Sequence, residues 1–325
     1  MISVAVFMTP NKLIVILGPT ASGKTDLSIK LAKKLALSKN EGFNGVEIVS
    51  ADSRQVYKGL NIGSGKITKK EMQGITHYLL DIANPKRKFT VAQYQKLAFK
   101  AIEKIHKKEK IPFLVGGSGF YIKSIVDGIL IPEIKPDWKL RKKLVKKTAE
   151  ELFLILKKLD PKRAKLIDKK NPRRLIRAIE IVLKTGKPVP QFPTMFDVAG
   201  FEVLQIGIKK SSEELKKTIQ KRLRKRLKQG LIHEVKNLQK NGLPWKRLEE
   251  LGLEYRFVAQ YLQSKLSYKE MQSKLEKEIW HFSKRQMTWF KKHSAPEQVR
   301  YRASKRIHWI KNQKEAENLV KKFVK

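Results

Sequence analysis

The sequence of 325 residues contains no cysteine. Disulfides, thiolate metal sites and cysteine nucleophiles are therefore excluded. Acidic residues are also scarce, with 30 Asp and Glu against 72 Lys and Arg, a formal charge of +42. So large an excess predicts a polyanionic partner, with nucleic acid first in line. A source whose proteins are generally lysine-rich would give the same bias. No apolar run is long enough to span a bilayer. The first twelve residues lack the basic, apolar and cleavage segments of a signal peptide. These absences predict a soluble, cytoplasmic protein with no membrane partner.

The apolar run Leu13-Ile14-Val15-Ile16-Leu17 leads into Gly18-Pro19-Thr20-Ala21-Ser22-Gly23-Lys24-Thr25, and residues 26–37 follow with helical periodicity. Strand, glycine loop and helix form the context of a phosphate-binding P-loop. Glycines let backbone N–H groups close around phosphate oxygens, and the helix N-terminus adds its positive end. Lys24 supplies a point charge, and the Thr25 hydroxyl is placed for Mg²⁺. The motif predicts a bound diphosphate or triphosphate without saying which reaction follows.

A second strand, Val46-Glu47-Ile48-Val49-Ser50, ends in Ala51-Asp52-Ser53-Arg54-Gln55. Loops at the carboxyl ends of parallel strands share one crevice, which brings Asp52 to the P-loop rim. There a carboxylate can organise Mg²⁺, take a proton, or simply cap a turn. Residues 77–82 read as a short strand, residues 90–106 as a helix capped by Thr90, and residues 111–115 as a buried strand. The last turns through Gly116-Gly117-Ser118-Gly119.

Residues 129–136 read as a boundary. Residues 137–187 are helical and very basic, broken at Asp160-Pro161 and Asn171-Pro172, with a proline linker at 188–193. Leu175, Ile176, Ile179 and Val182 suit a core, which leaves Arg173, Arg174 and Arg177 facing outward. A strand at 201–208 precedes helices over 211–230, 230–238, 254–262 and 267–292. Trp280, Trp289 and Phe290 on the last suit a core better than an RNA-stacking platform. The fold class predicted is α/β. A P-loop NTPase-like parallel sheet (1–122) is interrupted by a helical insertion (123–200) and completed by 201–325 with basic C-terminal helices. Of the basic residues, 21 lie up to residue 130 against 9 acidic, and 51 beyond it against 21. Most of the polyanion surface is expected in the later half.

Several segments resemble the tRNA dimethylallyltransferase (tRNA isopentenyltransferase) family, in order from about residue 13 to residue 292. They are the P-loop, Ala51-Asp52-Ser53-Arg54-Gln55-Val56-Tyr57 with Gly63 and Lys66, residues 77–82, Val115-Gly116-Gly117-Ser118-Gly119-Phe120-Tyr121, residues 171–180, and Lys284-Arg285-Gln286-Met287-Thr288-Trp289. The resemblance implies a monomeric enzyme that uses Mg²⁺ and moves a dimethylallyl group from dimethylallyl diphosphate to tRNA. The acceptor would be N6 of the adenosine just 3′ of the anticodon, within the anticodon stem-loop. It further implies Asp52 as general base, Gly18, Pro19 and the rest of the loop through Thr25 around the diphosphate, and Arg222 beside it. Asp52, Ser53, Arg54, Gln55, Ser118, Arg141, Arg173, Arg174, Leu175, Ile176, Arg177, Tyr255, Arg256, Arg285 and Gln286 fall at tRNA-contact positions. Two residues depart from the family: Thr218 where an arginine is common, and Glu254 where glycine is usual.

Rival readings share parts of this pattern. A P-loop kinase would bind ATP on the same loop and use Asp81, after Leu79-Leu80, as a second metal-organising carboxylate. An adenylate dimethylallyltransferase acting on free nucleotide would share the P-loop and Asp52 but has little use for so much positive charge. A non-catalytic RNA-binding module leaves both motifs unexplained.

Overall fold

The computed structural model of the protein describes residues 11–37, 42–129, 131–132, 134–189, 201–292 and 306–325. The first ten residues and most of the expected linker lie outside them. The chain forms two compact units, residues 127–198 and the remainder.

The larger unit is built on a parallel sheet. Its strands are β1 (Lys12–Leu17), β2 (Val46–Ala51), β3 (His77–Tyr78), β4 (Ile111–Gly116), β5 (Glu202–Ile208) and β6 (Ile307–Ile310), in the spatial order β3-β2-β4-β1-β5-β6. Its helices are α1 (Lys24–Leu37), α2 (Lys69–Met72), α3 (Val91–His106) and α4 (Gly119–Val126). The smaller unit contributes α5 (Trp138–Leu144), α6 (Ala149–Leu159), α7 (Pro161–Leu166) and α8 (Pro172–Thr185). The larger unit resumes with α9 (Ser212–Lys228), α10 (Leu231–Lys240), α11 (Trp245–Glu250), α12 (Leu253–Leu262), α13 (Tyr268–Lys292) and α14 (Gln313–Val324).

Strand β1 is central and buried on both faces. Leu13, Val15 and Leu17 enter one apolar layer, with side chains of α3, α4, α10 and α12; Ile14 and Ile16 enter the other, with α1 and α14. Successive side chains of a strand point to opposite faces, so a strand covered on both sides reads as an unbroken apolar run. Leu17 and Ala51 both stand level with Gly116 of β4. The loops after β1, β2 and β4 therefore leave the sheet side by side.

In the smaller unit, Leu152, Leu156, Leu175 and Ile179 form the core. The two Pro-marked breaks are helix starts. Asp160 Oδ1 accepts from the Arg163 N–H at 2.9 Å, and Asn171 Oδ1 from the Arg174 N–H at 3.3 Å. Each cap precedes a proline at the first helical position, where a missing N–H costs nothing.

Two expectations need correction. The strand expected over 77–82 stops at Tyr78, because Leu79 and Asp81 take positive φ values of 64° and 55° and turn the chain off the sheet. No individual strand or helix is expected beyond residue 292, yet β6 and α14 extend the sheet beyond β5 and pack against α1.

Candidate active site

The P-loop bends through positive φ at Ala21 (62°) and Gly23 (93°). A Cβ at Gly23 would meet open space, so conformation rather than room calls for glycine there. Ala21 pays for the same turn with left-handed strain of about 1 kcal/mol, the sort of cost that gathers at binding sites. Ser22 Oγ is buried without a hydrogen-bond partner. Lys24 folds back and donates from Nζ to the Pro19 carbonyl at 2.6 Å. Burial first, and then repulsion from Arg222, push the Lys24 ammonium down to about 7 against the weaker attraction of Asp52. Its protonated form is thus short of negative charge, which a phosphate group would supply.

Asp52 sits just beyond β2. Its Oδ1 accepts from the N–H groups of Arg54 (2.8 Å) and Gln55 (3.3 Å), so it does cap its own turn. Its other oxygen takes no hydrogen bond within the described residues. Ser118 Oγ accepts from the Ser53 N–H at 2.9 Å, and Gln55 Nε2 donates to the Gly65 carbonyl at 3.2 Å. Asp52 is thereby aimed by backbone and neighbours, with one oxygen left for a ligand.

Gln286 of α13 locks two glycine turns together. It accepts from the Thr20 N–H and donates to the Gly117 carbonyl, both at 2.8 Å. The Thr20 amide, expected in the phosphate cradle, is therefore already engaged. The 57–66 loop is held by Glu234, whose carboxylate accepts from the N–H groups of Asn61, Ile62 and Gly63 and from the Tyr255 hydroxyl.

These loops enclose a cavity of about 730 Å³, within the size range of small-molecule sites. Its walls bring together Thr20 through Thr25, Asp52 through Gln55, Ser118, Arg222, Arg256, Arg285 and Gln286, as well as Arg226 and Glu254, whose roles the sequence reading did not identify. The signal for Arg226 was its place one helical turn after Arg222; Glu234 carried none. Burial pushes the Arg222 guanidinium down to about 10, with repulsion from Arg226 adding to it and Glu254 opposing. Gly18 and Pro19 shape the loop without lining the cavity.

Other expected residues are placed differently. Tyr255 is buried in the Glu234 network, donating to that carboxylate and accepting from the Ser64 N–H at 3.1 Å. Leu175 and Ile176 are core side chains of the smaller unit. Arg173 and Arg174 are exposed there, as expected, but Arg177 is not a free outward arginine. Arg177 and Arg141 both bind buried Glu180, and Arg177 also donates to the Pro132 and Ile134 carbonyls. Asp81 pairs with Lys66 at 2.5 Å and lies outside the cavity wall, which takes away the carboxylate a kinase reading needs. Phe290 is core, and Trp289 packs edge-on against it.

Known proteins resemble this chain in sequence and fold. The tRNA dimethylallyltransferase 1 of Syntrophus aciditrophicus is 40% identical over 87% of this chain and 90% of its own. The tRNA dimethylallyltransferase of Alkaliphilus oremlandii is 36% identical over 97% and 96%. The crystal structure of the full-length tRNA isopentenylpyrophosphate transferase of Bacillus halodurans superimposes with a TM-score of 0.67 at 31% identity, covering 97% of each chain. A eukaryotic dimethylallyltransferase acting on tRNA superimposes with a TM-score of 0.70 at 27% identity over 86% of this chain and 70% of that one. With residues 55–293 matching the IPP transferase family as well, the chain belongs to that family.

Proposed function

We propose that the protein transfers a dimethylallyl group from dimethylallyl diphosphate to N6 of the adenosine 3′-adjacent to the anticodon (position 37) of tRNA. The observation that carries this reading is Asp52, held by one oxygen and open at the other, in the same cavity wall as Lys24 and Arg222. The names of the relatives agree with it.

An exocyclic amine is a poor nucleophile because its lone pair is delocalised into the ring. N6 attacks C1 of the dimethylallyl group, and the N6–C1 bond forms as the C1–O bond breaks. Asp52 takes the proton that N6 sheds, and the diphosphate departs with the bonding pair. A base so placed is typically worth about 10²–10⁴-fold. Lys24, Arg222 and the loop amides of Ala21, Gly23, Lys24 and Thr25 meet the charge that grows on the leaving oxygen, while the Ser22 N–H is taken by the Pro19 carbonyl.

Among the described residues no cluster of three His, Asp or Glu side chains could hold a metal ion. Thr25 lines the cavity, and its hydroxyl makes no hydrogen bond among the described residues. That donor set fits Mg²⁺, which keeps most of its waters and takes phosphate oxygens. Bound there, it would neutralise part of the diphosphate charge.

The adenine must leave the anticodon stack, at a cost of about a few kcal/mol. Arg54, Arg256 and Arg285 in the cavity wall, with exposed Arg173 and Arg174 on the smaller unit, would offset it through phosphate contacts. This reading calls for one copy of the chain, acting in the cytoplasm.

The test is nucleoside analysis of unmodified tRNA incubated with the protein and dimethylallyl diphosphate. N6-dimethylallyladenosine at position 37 is expected. Its absence, or equal labelling of free adenylate, would overturn the proposal.

A further inference from the structure

Helix α9 sends two arginines into the diphosphate cavity one turn apart, and they are treated differently. Arg226 is satisfied: its Nη1 donates to Glu254 Oε1 at 2.8 Å and to the Gly63 carbonyl at 3.1 Å. Arg222 makes no hydrogen bond or ion pair within the described residues, although it is largely buried. Both guanidinium groups reach the same point over Gly65, where an added Cβ would collide with Nη2 of each. Gly65 also holds φ at +60°. The backbone favours glycine there, and any Cβ would have to displace the two arginine heads packed on it.

Two like charges in contact need a counter-charge; Glu254 is paired with Arg226, and Asp52 and Asp26 act more weakly on Arg222. Glu254 lies within electrostatic reach of Arg222 as well. If Arg226 were absent, Glu254 would be left partly buried and unpaired, with Arg222 as the nearby cation free to receive it. We propose that Arg226 is a positioning residue that occupies Glu254 and so keeps Arg222 available for the diphosphate. The proposal rests on the diphosphate reading above and adds to it a residue that need not touch substrate. Glu254 fits the cavity only because Arg226 stands with it.

The test is a double-mutant comparison of inorganic diphosphate binding by calorimetry, with KM for dimethylallyl diphosphate measured alongside. Arg226→Met should weaken diphosphate about tenfold, the loss of one charge-assisted contact, and raise KM by a similar factor. Adding Glu254→Gln to it should restore both to within about threefold of the parent. If Arg226→Met destabilises the fold, Arg226→Gln keeps a donor for the Gly63 carbonyl and makes the same test. Melting without ligand separates a packing defect, which the second substitution would not repair in affinity. Unchanged affinity in the single variant, or equal weakness in single and double, would overturn the proposal. Failure of the transferase reading would look different: parent protein that moves no dimethylallyl group.

Discussion

At Asp52 the turn uses one oxygen of the carboxylate and the proposed chemistry would use the other. Oδ1 is spent on the N–H groups of Arg54 and Gln55, so replacing Asp52 would remove the proposed base and loosen a loop together. Asp52→Asn keeps an acceptor for the turn and should lower kcat about 10²–10⁴-fold while leaving tRNA affinity nearly unchanged. Single-turnover kinetics with a filter-binding assay would check both. Lys24 makes a pH-dependent prediction. Its ammonium titrates at about 7 in the free protein, and a bound diphosphate favours the charged form. Above about pH 7, binding must take up a proton, so affinity should fall by up to about tenfold per pH unit. Below that the lysine is already charged and its contribution levels off. Calorimetry in buffers of different ionisation enthalpy would read the proton uptake. Lys24→Met should bind more weakly and lose this slope, leaving only the ligand's own titration. The shared placement of these residues was legible because loops at the carboxyl ends of parallel strands meet in one crevice, and Lys24 and Asp52 do line one cavity. The Arg226–Glu254 pair was not, because its partners are 28 residues apart and meet only through packing.

Among the elements, α8 shows how far periodicity reaches. Leu175, Ile176, Ile179 and Val182 were readable as one buried face, and they are. Glu180 was not readable as its electrostatic centre. Burial alone would raise this carboxyl, but Arg141, the Asp137 N–H and Arg177 outweigh it and hold it at about 2, against 4.5 ordinarily. A carboxyl depressed by folding adds stability that is complete above about 4.5 and is lost as pH falls towards 2. Glu180→Gln should therefore lower protection of the α8 amides in hydrogen exchange at pH 7, and flatten their loss of protection between about pH 4.5 and 2. The length of β3 and the presence of β6 mark the limit of element reading. Two residues of strand, or four, carry too little periodicity to stand out from the loops around them.

For the whole molecule, the excess of 42 positive charges is a statement about partners. Each phosphate neutralised releases counterions, so tRNA binding should weaken steeply with salt, by about tenfold or more between 50 and 200 mM. The Arg173→Ala/Arg174→Ala variant should weaken binding to all tRNAs alike and reduce the log–log salt slope by about 1 to 2. A slope equal to the parent's would show that neither arginine meets a phosphate.

What the sequence determined alone was local or compositional: the phosphate loop between its strand and helix, the acid at the end of the second strand, the cap at Thr90, and the pull towards a polyanion. Such features depend on neighbours within a few residues or on totals, and both survive without coordinates. The tertiary structure alone decided which charges are spent and which remain. Arg177 and Arg141 are consumed by Glu180, Arg226 by Glu254, and Lys66 by Asp81, while Arg222 stays free among the described residues and Lys24 is short of negative charge. Ion pairing and desolvation follow distances between residues far apart in the chain, and only folding sets those distances.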